Sequence, residues 1–245
     1  AGIDISISVS GYSLGGADAG NYSLLNPILS ASISPKSLNI TGITGADKVY
    51  DGTTTASVIG TASLSGILSG DDVILEDASV FTFASSAVGT DIDINTTGYS
   101  LDGVDAGNYS LVPLTLSADI SKQNINITGL IADSKDYDGT DSVRVIGTAI
   151  LSGVESGDDV TLEGTPSFSF SSAGAGIDIP ITMSGYSLGG LDAANYTLVN
   201  SLSATISPKS LNITGITGAD KVYDGTTTAS VIGTASLSGI LSGDD

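Results

Sequence analysis

The sequence contains no cysteine, no histidine and no tryptophan among its 245 residues. Without cysteine, the chain can form neither a disulfide framework nor a thiolate metal site. Without histidine, it lacks the most frequent general base and the most frequent metal ligand of proteins. These absences argue against catalysis, and we expect that the protein is not an enzyme.

Basic residues are scarce as well. The sequence has 7 Lys and Arg against 27 Asp and Glu, which gives a net charge of −20. A surface this acidic repels phosphate groups, so neither nucleic acid nor anionic lipid is an expected partner. No apolar run approaches the ~20 residues that a membrane-spanning helix needs. We therefore expect no membrane insertion in this segment.

What the sequence does contain is repetition. Residues 37–72 return without a change as residues 210–245, 173 positions later. A diverged version lies between these two copies and carries its own Tyr-Asp-Gly-Thr. This motif begins at Tyr50, Tyr137 and Tyr223. A second motif, Gly-Tyr-Ser-Leu, begins at Gly11, Gly98 and Gly185. Successive copies of either motif are 86 or 87 residues apart. A unit of this length is large enough to form a domain, so the pattern predicts a tandem array with a superperiod of two units.

The landmarks divide the chain into four parts. Residues 1–35 are predicted to be the C-terminal part of a repeat, 36–121 and 122–208 complete repeats, and 209–245 the N-terminal part of another. Such a division predicts a segment of a longer array, in which neighbouring repeats of the same chain are partners. The junctions have no Gly/Ser linker, and Pro35 and Pro208 restrict the backbone at two of them. Short, stiff junctions favour an extended rod.

Apolar and polar residues alternate along short segments such as 3–10 and 91–96, which is the pattern of half-buried strands. Within residues 36–121 it predicts strands near 37–43, 56–64, 72–76, 80–84, 91–97, 108–112 and 114–121. A single helical turn is predicted at 105–108. Six or seven strands in so short a unit predict an all-β fold, namely a small Ig-like β-sandwich. A β-grasp-like fold is the alternative.

The aromatic residues occupy fixed positions in each repeat. All nine tyrosines lie in Gly-Tyr-Ser-Leu, Asn-Tyr or Tyr-Asp-Gly, and the four phenylalanines form the pairs Phe81/Phe83 and Phe168/Phe170. We interpret these residues as core and turn residues, because a chain with 5% aromatics has few other large side chains to fill a core. A stacking platform for glycans is the alternative interpretation. The recurring lysines Lys48, Lys135 and Lys221 are interpreted as solubilising residues on edge strands.

Recurring carboxylates give one chemical hypothesis, a calcium site. Calcium takes six to eight oxygen ligands from carboxylates, amides and backbone carbonyls. Neither an EF-hand loop nor a GGxGxD repeat is present, and paired aspartates at strand starts are also typical of solvated turns. Calcium is nevertheless the only cofactor that the sequence suggests. The candidate ligands are Asp71, Asp72, Asp105 and Asn108 in one repeat and Asp158, Asp159, Asp192 and Asn195 in the next.

Four motifs follow one another in each complete repeat. In the first they are Lys-Val-Tyr-Asp-Gly-Thr-Thr from Lys48, Gly-Asp-Asp-Val from Gly70, Gly-Tyr-Ser-Leu from Gly98 and Asp-Ala-Gly-Asn-Tyr from Asp105. This order of motifs resembles the YDG-type repeat. Repeats of this type occur in tandem in large bacterial surface adhesins and filamentous-haemagglutinin-like exoproteins. The resemblance extends over essentially the whole chain and implies an extracellular or cell-surface location and a stalk or fibre role. It implies no catalytic residues. The departures are small: Asp136 replaces valine before Tyr137, and Ala194 replaces glycine before Asn195.

Together these observations predict a structural repeat segment of a bacterial adhesin or extracellular fibre, which provides length and stiffness for adhesion or a biofilm matrix. Two alternatives stay open. The first is an adhesive module that binds host or cell-surface glycans or a protein. The second is a subunit that assembles laterally or end to end into a filament or sheath through exposed strand edges.

Overall fold

The computed structural model describes residues 1–199 and 201–244. Strands account for 55% of the chain, no helix within the described ranges reaches seven residues, and the sheets are curled. The chain divides into two compact units, Ala1–Lys122 and Gln123–Asp245. The prediction of an all-β protein is therefore confirmed, as the alternating pattern requires.

The first unit contains one complete repeat preceded by a pair of strands. Its strands are β1 (Gly2–Ile7), β2 (Leu29–Ile33), β3 (Lys36–Gly45), β4 (Lys48–Val49), β5 (Val58–Ser65), β6 (Ile74–Phe83), β7 (Gly89–Asp102), β8 (Tyr109–Leu111) and β9 (Leu116–Ser121). Short 3₁₀ turns lie at Ala19–Asn21 and Ala106–Asn108.

Two sheets make up the complete repeat of this unit. The three-stranded sheet has the order β5-β3-β8, and the four-stranded sheet has the order β4-β9-β7-β6. Strand β3 pairs antiparallel with β5 but parallel with β8, and β4 pairs parallel with β9. Each sheet thus joins the beginning of the repeat to its end, which places sequence-distant motifs side by side.

The second unit repeats this arrangement. Its strands are β10 (Gln123–Ala132), β11 (Lys135–Asp136), β12 (Val145–Ser152), β13 (Thr161–Phe170), β14 (Gly176–Gly189), β15 (Tyr196–Val199), β16 (Ser203–Ser207), β17 (Asn212–Gly218) and β18 (Val231–Ser238), with a 3₁₀ turn at Ala193–Asn195. The sheets have the orders β12-β10-β15 and β11-β16-β14-β13. Strands β17 and β18 form a separate antiparallel pair.

The core of each complete repeat consists of the inward residues of these strands. In the second unit, Phe170, Ile179, Ile181, Ala204 and Ile206 form one buried cluster. Three partly buried side chains pack against this cluster. They are Ala132 of β10, Tyr137 in the turn after β11 and Val143 in the loop before β12. The core therefore draws on every second residue of β14 and β16, as a strand with one buried face should.

The structure corrects the predicted strand boundaries at two places. The segments predicted at 72–76 and 80–84 form one strand, β6, in which the pairing register shifts between Asp77 and Val80. The strand predicted at 91–97 extends to Asp102 because Gly98, at φ 97°, continues the strand through an irregularity instead of ending it. The two-residue strand β4 was not predicted. The helical turn predicted at 105–108 is confirmed as a 3₁₀ turn.

No α-helix occurs among residues 1–199 and 201–244, so the element around which a β-grasp sheet packs is absent from the described part of the chain. None of the helical turns found there is long and apolar enough to cross a membrane.

Candidate functional site

The Tyr-Asp-Gly-Thr motif forms a turn around the lysine that precedes it. In the first complete repeat, the Lys48 ammonium donates to Asp51 Oδ1 at 2.7 Å and to the Thr53 carbonyl oxygen at 2.7 Å. The Thr53 amide and hydroxyl both donate to the same Asp51 oxygen, each at 2.9 Å. We call the trio of lysine, aspartate and threonine the lysine turn. It closes a tight loop at the edge of the four-stranded sheet.

The lysine turn recurs in every Tyr-Asp-Gly-Thr copy. Lys135 donates to Asp138 at 2.7 Å and Lys221 to Asp224 at 2.9 Å. In the two complete repeats the ammonium also lies 5.6 Å from the centre of a phenylalanine ring, that of Phe83 or Phe170. A cation at this distance is attracted by the ring face, so the turn is fastened to the core as well as to its own backbone.

These contacts change the acidity of the aspartates. The bond from Lys135, with those from Thr140, lowers the pKa of Asp138 to about 2. The Lys221 ammonium likewise lowers the pKa of Asp224. At Asp51, partial burial acts to raise the pKa, but the bonds from Lys48 and Thr53 outweigh it and the pKa is lowered. All three carboxylates are therefore kept ionised by their partners.

The Gly-Asp-Asp and Asp-Ala-Gly-Asn-Tyr motifs form a second arrangement, in which a buried tyrosine joins two loops. The Tyr109 hydroxyl donates to Asp71 Oδ2 at 2.6 Å and accepts the Leu68 amide at 3.1 Å. The bond to Asp71 raises the pKa of Tyr109. The hydroxyl is thus both donor and acceptor, which ties the loop after β5 to the first residue of β8.

The same two loops are also linked by a reciprocal pair of aspartates. The Asp72 amide donates to Asp105 Oδ2 at 2.9 Å, and the Asp105 amide donates to the Asp72 carbonyl oxygen at 3.0 Å. We call Asp71, Asp72, Asp105 and Tyr109 the loop lock. Its carboxylates serve as acceptors for backbone and tyrosine donors, which is a structural use of charge.

The second repeat has an equivalent loop lock. The Tyr196 hydroxyl donates to Asp158 Oδ2 at 2.6 Å and accepts the Glu155 amide at 3.0 Å. The Asp159 amide donates to Asp192 Oδ2 at 2.9 Å. The geometry is therefore a property of the repeat and not of one copy.

The structure brings together most of the predicted calcium ligands. Asp71, Asp72 and Asp105 meet in the first loop lock and Asp158, Asp159 and Asp192 in the second, while Asn108 and Asn195 end the adjoining 3₁₀ turns. Within the described ranges, no group of three or more His, Cys, Asp and Glu is placed so that it can hold a metal ion. Calcium binding at these residues stays a prediction.

A further contact crosses a predicted repeat boundary. In the second unit, the Tyr137 hydroxyl donates to Asp244 Oδ1 at 3.2 Å, and this bond raises the pKa of Tyr137. Both residues belong to recurring motifs. The third Gly-Asp-Asp ends at Asp245, which lies outside the described residues.

Sequence reasoning found the motifs but not all of their roles. Three of the six tyrosines of the complete repeats lie in the core, since Tyr50, Tyr109 and Tyr196 are buried. The other three, Tyr99, Tyr137 and Tyr186, are half-buried. Lys48 lies on the edge strand β4, where a solubilising lysine is expected, but its ammonium bonds inward to the turn. The sequence does carry a signal for this ion pair, because the lysine precedes the aspartate of Tyr-Asp-Gly-Thr by three residues in every copy.

A family model of the YDG domain matches residues 34–117, 121–205 and 207–245. No curated protein and no solved structure matches the chain. The three matched segments together cover well over half of the sequence and contain every lysine turn and both loop locks. The chain belongs to the YDG domain family.

Proposed function

We propose that this chain is a structural repeat segment of a secreted, cell-surface bacterial adhesin or extracellular fibre, to which each repeat adds length and stiffness. One observation carries the proposal. The motif residues that recur in every repeat, in the lysine turns and the loop locks, make hydrogen bonds to the protein's own loops. Because these side chains are already hydrogen-bonded within the repeat, their recurrence favours an architectural role over a role in binding or catalysis.

The placement of the aromatic side chains supports the same proposal. Modules that bind glycans present aromatic rings to solvent, whereas Tyr109 and Tyr196 are buried in the loop locks. Phe81 and Phe168 pack edge-on against Tyr99 and Tyr186 with ring centres 6.3 and 6.5 Å apart. The rings of a complete repeat thus contact the repeat itself, which favours a structural segment over an adhesive module.

The chemistry of the surface is consistent with a passive extracellular role. A chain with a net charge of −20 and no cysteine has no thiol to oxidise outside the cell and no attraction for nucleic acid. Among its side chains there is no histidine for proton transfer. We propose accordingly that the chain is not an enzyme and that its partners are neighbouring repeats.

The finer architecture is part of the proposal. We propose that the two sheets of a repeat pack face to face as an Ig-like sandwich and that successive repeats extend into a rod. Two features support the rod. Only residues 34 and 35 separate β2 from β3, and residue 35 is a proline. Contacts across the boundary, such as Tyr137 to Asp244, oppose bending there.

The length of arrays with increasing repeat number tests this proposal. Arrays of one, two and three superperiods, each spanning residues 36–208, are measured by small-angle X-ray scattering and electron microscopy. A rod predicts a maximum dimension that rises linearly, by roughly 30 to 45 Å per repeat for strands of 10 to 14 residues. A compact particle would instead grow with about the 0.4 power of chain length. Compact growth would reject the structural proposal.

A further inference from the structure

The first and the last strands of a complete repeat are joined directly to each other. In the first complete repeat the chain begins at β3, continues into β4 and ends at β9. Strand β4 pairs parallel with β9, with Lys48 opposite Ile120 and Val49 opposite Ser121. Strand β3 likewise pairs parallel with β8, which precedes β9. The two ends of the repeat are therefore held together by parallel pairs.

Three further hydrogen bonds strengthen the contact between β4 and β9. The Tyr50 amide donates to the Ser121 carbonyl oxygen at 2.8 Å, and the Ser121 hydroxyl donates to the Lys48 carbonyl oxygen at 3.2 Å. The Asp119 amide donates to Asp47 Oδ1 at 2.8 Å. The last of these bonds has a charged acceptor, which makes it the strongest type of the three.

We call residues 47–50 together with residues 119–121 the strand clamp. Water has little access to its centre, because Tyr50 is 5% exposed and Ile120 is 1% exposed. The lysine turn fixes the β4 side of the clamp, since Lys48 bonds the turn that follows and lies over the ring of Phe83. The clamp is thus anchored to the core on one side and leads out of the repeat on the other.

The direction of the paired strands decides how the clamp responds to a pulling force. A pull on the two ends of the repeat draws β3 and β4 toward their N-terminal ends and β9 toward its C-terminal end. Because β4 and β9 are parallel, they can separate only by sliding lengthwise, and all bonds between them resist at once. In an antiparallel hairpin pulled apart at its open end, such as β6 with β7, the bonds break one pair at a time.

We propose that each complete repeat is a tension-resistant domain and that the strand clamp is the part that resists. Strand β9 ends at Ser121 and β10 begins at Gln123, so a pull along the chain reaches the clamp without an intervening linker. The use of this resistance in the cell rests on the proposed stalk role. The resistance itself follows from the strand pairing alone.

The second repeat contains a weaker form of the clamp. Strand β11 pairs parallel with β16, and the Tyr137 amide donates to the Ser207 carbonyl oxygen at 2.8 Å, as in the first repeat. The Thr205 amide, however, donates to the Ser134 hydroxyl at 3.1 Å, where the first repeat has a carboxylate. Hydrogen bonds to ionised acceptors are roughly twice as strong as neutral ones. We therefore expect the second repeat to unfold at a lower force than the first.

Single-molecule force spectroscopy of the 245-residue chain, pulled at its two ends, tests the inference. Unfolding of one complete repeat releases a chain of 86 or 87 residues, about 300 Å when extended, which identifies the event. The expected record has two such events at two different forces. Asp47→Ala should increase the unfolding rate of the stronger repeat on the order of 10-fold at constant force, because forced unfolding follows the unfolding rate. Ser134→Asp should raise the force of the weaker event.

Asp77→Ala is the matched control. The Asp77 carboxylate also accepts a backbone amide, that of Ser79 at 3.1 Å, but this bond lies within β6 and does not join the parallel strands. This variant should leave both force events unchanged, whatever its effect on unfolding by urea. Equal shifts from Asp47→Ala and Asp77→Ala, or no shift from either, would overturn the inference. Compact growth in the scattering experiment would reject the stalk role but leave the measured force intact, so the two failures can be distinguished.

Discussion

The tyrosine of the loop lock does more than fill the core, because its hydroxyl satisfies two groups at once. Tyr196→Phe keeps the ring but leaves the Glu155 amide and the Asp158 carboxylate without this partner. Loss of a hydrogen bond to a charged group costs about 1.5 to 3 kcal/mol, and we expect a loss of this size in the stability of the second repeat. Calorimetry measures the loss of stability, and hydrogen exchange at the Glu155 amide reports whether that amide has lost its acceptor.

Tyr186→Phe is the matched control. Tyr186 packs edge-on against Phe168, and its hydroxyl has no hydrogen bond within the described part of the chain. We expect this variant to melt like the unaltered protein. Equal melting of the two variants would mean that the loop lock contributes nothing through its hydroxyl.

The lysine turn should make stability depend on acidic pH. Asp138 has a pKa of about 2 in the folded protein against 3.8 as its ordinary value. Because the folded pKa is depressed, the stabilisation is complete above about pH 5 and is lost progressively as the pH falls through 3.8 and then through the folded pKa, down to about pH 1. Asp138→Asn should therefore lower Tm at pH 7 and have a progressively smaller effect from about pH 5 to about pH 2. Thermal melts over this range measure the difference.

The control for this experiment is Asp136→Asn, which removes the same charge from the exposed neighbour on β11. If both variants shift Tm equally at pH 7, the effect is one of net charge and not of the lysine turn. A difference that persists unchanged at pH 2 would also contradict the role given to Lys135.

Calcium remains the one ion that the sequence predicts. In the loop locks, Asp72 and Asp105 are linked through backbone donors, so any bound ion has to share oxygens already in use. A calcium site predicts a rise in Tm on addition of Ca²⁺, its reversal by EDTA and a weaker response to Mg²⁺. Identical melting curves under all three conditions would reject the site.

At the scale of elements, some glycines lie where the backbones of two paired strands come so close that no side chain fits between them. Gly147 has φ 104°, and a Cβ built there would lie 2.1 Å from the Gly129 carbonyl oxygen, beside the register shift between β10 and β12. Gly147→Ala therefore combines an unfavourable backbone conformation with a collision and should cost about 2 to 4 kcal/mol. Urea unfolding measures the loss.

Gly157 separates these two causes. It has the same φ of 104°, but nothing lies within 4 Å of a Cβ built there. Gly157→Ala should thus show the conformational cost alone, about 1 to 2 kcal/mol. A Gly147→Ala variant no less stable than Gly157→Ala would mean that the strands separate easily at the bulge.

The sequence predicted which segments form strands, because alternation reports directly on a buried face. It could not predict that 72–76 and 80–84 join into β6, since a bulge interrupts the alternation at Asp77 without ending the pairing. It also could not predict the parallel pairs β3 with β8 and β4 with β9, which depend on contacts about 70 residues apart. The aspartates proposed as calcium ligands do lie in two neighbouring loops, but their hydrogen bonds to backbone amides depend on loop geometry that spacing does not encode.

At the scale of the whole molecule, the property to explain is how repeats influence one another. In repeat proteins, stability is approximately the sum of the stability of each repeat and of each interface between neighbours. The contact from Tyr137 to Asp244 is one such interface term, because it joins a complete repeat to residues 209–244. Loss of this hydrogen bond should therefore destabilise residues 209–244, on the other side of the repeat boundary.

We predict that Tyr137→Phe increases amide exchange in β17 and β18 several-fold while exchange in β13 and β14 changes little. The reason is that β17 and β18 pair only with each other among the described residues and are almost wholly exposed, so local opening of this pair should need little free energy. Tyr223→Phe is the matched control, since Tyr223 holds the same motif position but is almost fully exposed. Hydrogen exchange followed by mass spectrometry resolves the four strands. If Tyr137→Phe leaves β17 and β18 unchanged, neighbouring repeats are not coupled through this tyrosine, and the stiffness proposed for an array would have to come from its short junctions alone.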